Sequence, residues 1–488
     1  MRGRPDGRRF GALVALVAAT CVPDVAAALV VKGPHLQDVR PDGVTVVWEQ
    51  QVAGAGQVTV GSTLFQSPGP KLIHEVRLTG LAPETSYTYT VDADGSSEGG
   101  GFTTAPLDPT TPFVFVAVGD NRSIHSDHQA VVNAIVAEGP LAFVVNTGDM
   151  VSDGSVAADW QTFFDVELPL VRNTPWFPTI GNHEEASGLP HFYTDLLAPP
   201  QSLPGNEAYY WVRYGSAAFL VLDGHVNVVS RMFGLWTDFD DAQRAWIEAT
   251  LPALSADPSI RHIFVFTHEP PYSSKEGRTG SHALRLFLDL FAQHRVDAII
   301  TGHDHYLERG ESPQGIRYFV MGGGGAPLYA NNSEGNLGAK AAAALPWLDD
   351  AHTVGFARMA NGYLRLAINN GQVDATIKDT AGNVLDSISW NTGDWVPQQD
   401  GGVDTAPVDA PAPDDAAPAA DGAPTADAGR DGAPVDGGGP VQEDGGPTPP
   451  PASGCGCRAA TAGGTTLALL ALLALLAVVR RARRAGSR

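Results

Sequence analysis

Five short polar motifs carry the residue types that chemistry needs: Gly119-Asp120-Asn121-Arg122, Gly148-Asp149, Gly181-Asn182-His183-Glu184, Thr267-His268 and Gly302-His303-Asp304-His305. Gathered in one place they would supply two Asp, one Asn and at least three His. Oxygen and imidazole donors in that mixture suit a pair of hard or borderline divalent metal ions. The only Cys residues are Cys21, Cys455 and Cys457, all outside the foldable region, so a thiolate zinc site is excluded.

Each motif follows an apolar, β-rich run: Phe113 to Val118, Leu141 to Val145, Trp176 to Ile180, His262 to Phe266 and Val296 to Ile300. Runs this apolar read as strands covered on both faces. In an α/β sheet ligands collect beyond the carboxyl ends of strands, which would bring the five motifs together. Between them, Ser126-Asp127-His128-Gln129 has capping-box spacing, and Ala130, Val131, Ala134 and Ile135 follow at helical spacing. A helix starting there would favour an anion near Asp120. A second helix is expected from Asp240, carrying Ala245, Trp246, Ala249 and Leu251, and a third from His282 to Gln293. Closing strands are expected at 354–358, 363–368 and 374–377, with a hairpin turn at Asp379-Thr380-Ala381-Gly382-Asn383.

The remainder of the 488 residues divides by composition. Residues 1–28 read as a signal peptide: Arg2, Arg4, Arg8 and Arg9, an apolar run from Phe10 to Ala19, then Ala26-Ala27-Ala28. Residues 29–106 alternate like a small all-β sandwich with Trp48 in its core. Residues 110–395 alternate strand and helix. Residues 396–454 are Pro, Ala, Gly and Asp, an extended linker unable to bury a core. Residues 455–488 hold Cys455-Gly456-Cys457, an uncharged stretch from Ala459 to Val479 of membrane-spanning length, and Arg480, Arg481, Arg483 and Arg484. Much of the net charge of −23 sits in the linker, where eleven acidic residues and one Arg lie between Asp400 and Asp444. No basic patch for nucleic acid is present.

These motifs, with His268-Glu269-Pro270-Pro271-Tyr272, Tyr306-Leu307-Glu308-Arg309 and the Gly322–Gly325 run before Ala326-Pro327-Leu328-Tyr329, resemble the calcineurin-like metallophosphoesterases. The similarity is to the purple acid phosphatase branch, and it covers about residues 29 to 395. Leu81-Ala82-Pro83-Glu84-Thr85-Ser86-Tyr87 resembles the tyrosine corner of a fibronectin type III domain. The resemblance implies an α/β fold, a four-layer α/β/β/α sandwich preceded by a small fibronectin III-like sandwich.

It also implies roles. Asp149 would bridge two metals, Asp120 and His305 would complete the first, and Asn182, His268 and His303 would hold the second. The two ions, iron, zinc or manganese, would turn a bridging water into the hydroxide that attacks a phosphate ester. His183 would act as general acid and transition-state stabiliser. One departure stands out. The family supplies another first-metal ligand, a His two residues or a Tyr three residues after the first Asp; here those positions are Arg122 and Ser123. Arg122 cannot ligate, but it can bind substrate phosphate bidentately. His125 or His128 is the candidate for the missing ligand, against a plain helix-start His. Without the Tyr, the purple colour of the branch should be absent.

The expected activity is that of an exported, acid phosphatase-like monoesterase. The alternatives are a phosphodiesterase of the same family and a non-catalytic surface-binding module. The 455–488 segment resembles myxobacterial sorting tags, which implies a sorting protease as partner and tethering at the cell envelope or surface. Among the other aromatic and imidazole groups, Tyr272 and Tyr306 are expected near the substrate, and His352 near the site.

Overall fold

The computed structural model describes residues 29–392 except 94, 186–190, 202–205, 225–238, 276–277 and 330–351. The signal-peptide, linker and sorting-tag expectations (1–28, 396–454, 455–488) therefore lie outside the described residues. Among the described residues no helix is long and apolar enough to cross a membrane.

The N-terminal strands are β1 (Val30–Arg40), β2 (Gly43–Gly54), β3 (Gln57–Val60), β4 (Thr63–Gln66), β5 (Lys71–Leu78), β6 (Ser86–Ala93) and β7 (Ser96–Thr103). After them come β8 (Phe113–Val118), helix α1 (His125–Val136), β9 (Phe143–Asn146), α2 (Ala157–Val171), β10 (Trp176–Pro178) and α3 (His191–Leu196). The second half holds β11 (Tyr210–Tyr214), β12 (Ala217–Val221), α4 (Asp241–Ala256), β13 (His262–Phe266), α5 (His282–Arg285), α6 (Leu288–Gln293) and β14 (Ala298–Thr301). It closes with β15 (Leu307–Glu311), β16 (Arg317–Met321), β17 (Thr353–Arg358), β18 (Gly362–Asn369), β19 (Gln372–Asp379) and β20 (Val384–Asn391).

One sheet runs β20-β19-β18-β8-β9-β10-β1-β2-β5, a second β11-β12-β13-β14-β16-β15-β17, and a third β4-β3-β6-β7. The apolar runs are read on both faces. Phe115, Phe143, Phe177, Phe264, Phe266 and Ile300 pack in the cluster between the two large sheets. Their alternates Val116, Val118 and Val144 face α1 and α2 on one outer side, with Val131, Ile135, Trp160 and Phe164. Ile263, Val265 and Ile299 face Ile247, Leu251 and Phe291 on the other. Alternation of side chains along a strand thus fills three apolar layers, which gives the expected α/β/β/α order.

The N-terminal strands do not stand apart from this core. β1 pairs in parallel with β10 through Gln37 and Trp176. Tyr89 donates its hydroxyl to Arg172 O at 2.9 Å, and Gln161 donates to Val31 O at 2.7 Å. Trp48 is buried, and Ala82 N donates to the Tyr87 hydroxyl at 2.9 Å, the backbone bond expected of a tyrosine corner.

Several local expectations need correction. Ser126 lies inside α1 rather than capping it; the N-cap position is Ile124 and makes no side-chain cap bond. The buried face of α1 is His128, Val131, Val132 and Ile135. On α4, Asp240 caps by accepting from Gln243 N at 2.7 Å, but Ala245 and Ala249 are exposed and the core face is Gln243, Ile247, Leu251 and Leu254. Ala is a strong helix former that gains little from burial, so it marks a helix without marking its inner face. The helix expected over 282–293 is two, broken at Leu286 and Phe287.

Candidate metal centre

The five motifs meet at the carboxyl ends of the parallel strands, three from the first large sheet and two from the second. Asp120 follows β8, Asp149 follows β9, and Asn182 and His183 follow β10, all in the first sheet. His268 follows β13, and His303 and His305 follow β14, in the second. At three of these strand ends the chain turns through the left-handed region: Asp120 has φ 59°, Asp149 φ 55° and His303 φ 69°. Such backbone costs about 1 kcal/mol or more per non-Gly residue and collects at functional turns. The adjoining glycines allow the close approach. A Cβ on Gly181 would lie 2.4 Å from Asp149 N, and one on Gly302 would lie 2.4 Å from Asp120 Oδ2.

Asp120, Asp149 and His268 are buried, with ligand atoms within 4.8 Å of one another. Around them the donors form two groups. In one, His268 Nε2 lies 3.2 Å from Asn182 Oδ1 and 3.3 Å from Asp149 Oδ1, and His303 Nδ1 lies 3.1 Å from Asn182 Oδ1 and 3.2 Å from His268 Nε2. In the other, His305 Nε2 lies 3.4 Å from Asp120 Oδ1. Asp149 stands between the two, since its ligand oxygen lies within 4.8 Å of those of both Asp120 and His268; its Oδ2 faces Arg122 Nε at 3.4 Å and His183 Nε2 at 3.8 Å.

Backbone carbonyls set the tautomers. His268 Nδ1 donates to Thr147 O at 2.8 Å, and His305 Nδ1 donates to Pro327 O at 2.8 Å. Both rings therefore turn an Nε2 lone pair inward, the arrangement metal-ligating histidines take. His183 Nδ1 donates to Ser152 O at 2.6 Å, which leaves its Nε2 free to exchange a proton. Inside the cluster, lone pairs and carboxylate oxygens face one another at hydrogen-bond distance, and Asp120 Oδ1 is buried without a hydrogen-bond partner. A proton on His268 Nε2 would resolve part of that arrangement and bound cations all of it, and the donor set fits a pair of metal ions. The same electrostatics act on protons. Burial opposes the charge of Asp149, yet His268 and His183 hold its carboxyl well below the usual range. Burial opposes the charge of His268, but Asp149 and then Asp120 raise its pKa.

Three supporting groups carried no assigned role in the sequence. Glu184 is buried, and its Oε2 accepts from Gly181 N at 2.7 Å and Asp149 N at 2.9 Å, its Oε1 from Met150 N at 2.8 Å and Val151 N at 3.3 Å. One carboxylate thus ties the Asp149 loop to the Asn182 loop. Asp304, between the two motif histidines, points away from them and accepts from Ser273 Oγ, from Arg278 at 2.6 Å and from the Tyr306 hydroxyl at 3.0 Å. Tyr329 stacks on His305 with ring centroids 4.5 Å apart and carries Lys275 Nζ 3.5 Å from its own centroid. The only signal for Glu184 and Asp304 was their position beside a ligand-type residue, and for Tyr329 its place in the stretch after the Gly322–Gly325 run.

Other expectations place differently. Neither candidate for the missing ligand reaches the centre: His125 is exposed at the start of α1, and His128 faces Glu167 of α2 at 3.2 Å. Tyr272 and Tyr306 are buried in the helical layer, and His352 stacks on Tyr272 at 4.3 Å.

Behind the centre, Glu308 is fully buried and accepts from the Tyr318 hydroxyl at 3.2 Å. Burial pushes its carboxyl up to about 8, with Asp304 adding to the rise and Ser274 and Tyr318 opposing it. A raised folded pKa favours the native state at low pH, and that contribution is lost as pH rises from about 4.5 through about 8. Glu308→Gln should remove about 4 kcal/mol of the stability change across this window. Denaturant unfolding at pH 5 and pH 8.5 checks it; parallel pH dependence in the two proteins would refute it.

Residues 113–307 match a family model described as calcineurin-like phosphoesterase. A purple acid phosphatase of Glycine max is 25% identical over 281 residues, 52% of this chain and 56% of the relative. The Fe(3+)-Zn(2+) purple acid phosphatase 12 of Arabidopsis thaliana is 24% identical over 334 residues, 61% of this chain and 68% of the relative. An uncharacterized protein of Mycobacterium tuberculosis is 25% identical over 339 residues, 57% of this chain and 64% of its own length. The chain thus spans less than two thirds of the length of several curated relatives it matches. A solved purple acid phosphatase from yellow lupin seeds aligns with TM-score 0.59 at 17% identity, over 75% of this chain and 74% of that one, which bears on the fold.

Proposed function

From a chain that carries a calcineurin-like phosphoesterase domain, we propose a metal-dependent phosphoric ester hydrolase acting on phosphate monoesters. The observation that carries the reading is the pair of donor groups sharing Asp149. Asp120, Asp149 and His305 would hold one ion, and Asp149, Asn182, His268 and His303 the other. Bound there, the ions would offset phosphoryl charge and make water a competent nucleophile at neutral pH.

The chain's own residues then divide the remaining work. Arg122 sits beside Asp149 and His305, where its guanidinium can take phosphate oxygens. His183, its Nδ1 fixed by Ser152 O, offers Nε2 to the leaving oxygen as proton donor. Glu184 and the left-handed turns at Asp120, Asp149 and His303 keep the donors in place before substrate arrives. Residues 29–106 serve as a positioning module, a reading supported by the β1–β10 pairing and the bonds to α2. Export and tethering rest on the sequence of residues 1–28 and 455–488.

The test compares an aryl phosphate monoester with its bis-aryl diester, with manganese, zinc or iron supplied. Faster monoester turnover is the expected result. Faster diester turnover would move the assignment to a phosphodiesterase. Metal-independent failure on both would favour a non-catalytic surface module.

A further inference from the structure

The second sheet ends at β11, and residues of the N-terminal strands and the loop after β7 stand against that open side. The two surfaces leave a cavity of about 370 Å³ between them, lined by Arg40, Pro41, Pro106, Leu107, Trp211 and Arg213, with Asp38 also in its wall. Small-molecule sites run from about 300 to 1,000 Å³ and favour the seams between packed units. β12 runs parallel to β13, so Gly215, in the cavity wall and in the turn before β12, sits at the opposite end of the sheet from His268. The cavity is therefore separate from the metal centre.

Two kinds of group line it. Arg40 gives its Nε to both Asp38 oxygens, at 2.9 and 3.0 Å, and its side chain stays 49% exposed. Arg77 also donates to Asp38, at 2.9 Å, so that carboxylate is shared by two guanidiniums and leaves the outer edge of Arg40 for another acceptor. Arg213 is pinned by Gly215 O at 3.1 Å and Ser259 O at 3.3 Å, with Asp257 at 3.5 Å, and forms a fixed wall. Beside these stand the indole of Trp211 and the apolar surfaces of Pro41, Pro106 and Leu107. Leu107 is 71% exposed, and a leucine that open is stabilised by an apolar surface laid over it. We propose that this cavity is a second ligand site, for a small organic carboxylate with a flat apolar body: the Arg40 fork takes the carboxylate, and Trp211, Pro41, Pro106 and Leu107 enclose the body. A compact polyanion such as phosphate would use the arginines, leave the apolar walls wet and face Asp38. A neutral apolar molecule would use the walls and strip water from a guanidinium without replacing it. The monocarboxylate uses both. It would also bridge residues 38–41 and 106–107 to β11, so its binding should stabilise the fold.

The experiment is calorimetry on the full chain with 2-naphthoate as probe. Its uncharged amide, 2-naphthamide, and acetate, which lacks the apolar body, are the controls. Wild type should bind about one equivalent of 2-naphthoate, which should also raise its unfolding temperature. Both controls should bind at least about tenfold more weakly. Arg40→Gln leaves Asp38 with its Arg77 partner, so the fold and turnover of an aryl phosphate should persist while affinity for 2-naphthoate falls at least about tenfold. The comparison of the three probes on wild type needs no variant, so a misfolded Arg40→Gln would not leave the question open. No binding of 2-naphthoate by wild type at millimolar concentration would overturn the proposal, as would equal affinity for acid and amide. Unchanged affinity in a folded Arg40→Gln would place the acid elsewhere and overturn it too.

Discussion

Asp149→Asn is expected to lower kcat/KM by about a thousandfold or more, and to strip metal from the centre, while the protein stays folded. The substitution keeps side-chain shape and changes charge. It also respects the backbone, because Asn tolerates the left-handed φ of 55° that Asp149 adopts. Asp149 reaches toward both donor groups: Oδ1 lies against His268 Nε2 and accepts from His183 N at 3.0 Å, and Oδ2 faces Arg122 and His183. An amide would give one neutral oxygen to one group and an N–H to the other. Each ion would lose a negative ligand, and transition-state charge stabilisation of about 4 kcal/mol corresponds to the thousandfold. His268 would lose the partner that most raises its pKa and would revert toward the neutral ring its burial favours. Steady-state kinetics with elemental analysis checks this. A variant that kept both metal and activity would remove Asp149 from the centre and the proposed function with it.

The strand ends were legible in the sequence because a strand covered on both faces carries few polar residues until it stops. In Phe113 to Val118 the first polar side chain after the run is Asp120, and the structure places it where the sheet ends. The same logic located His268 after Phe266. Helix faces were less legible. Small residues such as Ala245 and Ala249 fit either side of α4, so the inner face is set by Ile247, Leu251 and Leu254 packing on the second sheet. The sharing of a sheet between β1 and β10 had no sequence signal at all, since strand pairing across more than a hundred residues depends on tertiary packing rather than on local pattern. At the centre, the donors were legible by type and order. The groups that hold them, Glu184, Asp304 and Tyr329, were not, because their roles lie in where hydrogen bonds and ring faces point.

Glu184 supplies the largest expected effect on the folded state. Its carboxylate is the acceptor for four backbone N–H groups, two in the Asp149 loop's continuation at Met150 and Val151, one at Asp149 itself and one at Gly181. Glu184→Ala would leave all four buried without a partner. Each stranded donor costs about 1–3 kcal/mol, so a loss of about 4 to 6 kcal/mol is expected even if one or two find water. Against a typical domain stability of about 5–15 kcal/mol, that is enough to make the catalytic half marginal. Glu184→Gln separates charge from packing. Volume and reach are kept, but the amide nitrogen would point at two N–H donors that now meet an oxygen, so most of the loss should persist. A merely space-filling Glu184 would instead tolerate Gln at a cost under about 1.5 kcal/mol. The consequence should extend to the metals, because the cradle ties the loop bearing Asp149 to the loop bearing Asn182, and losing it lets two ligands of one ion drift apart. Unfolding in denaturant, run with and without zinc, reads both effects. The Gln variant should show lower stability without metal and a smaller gain on adding it. A Gln variant as stable as wild type, with an undiminished response to zinc, would show that the centre is held by its backbone turns and not by this carboxylate.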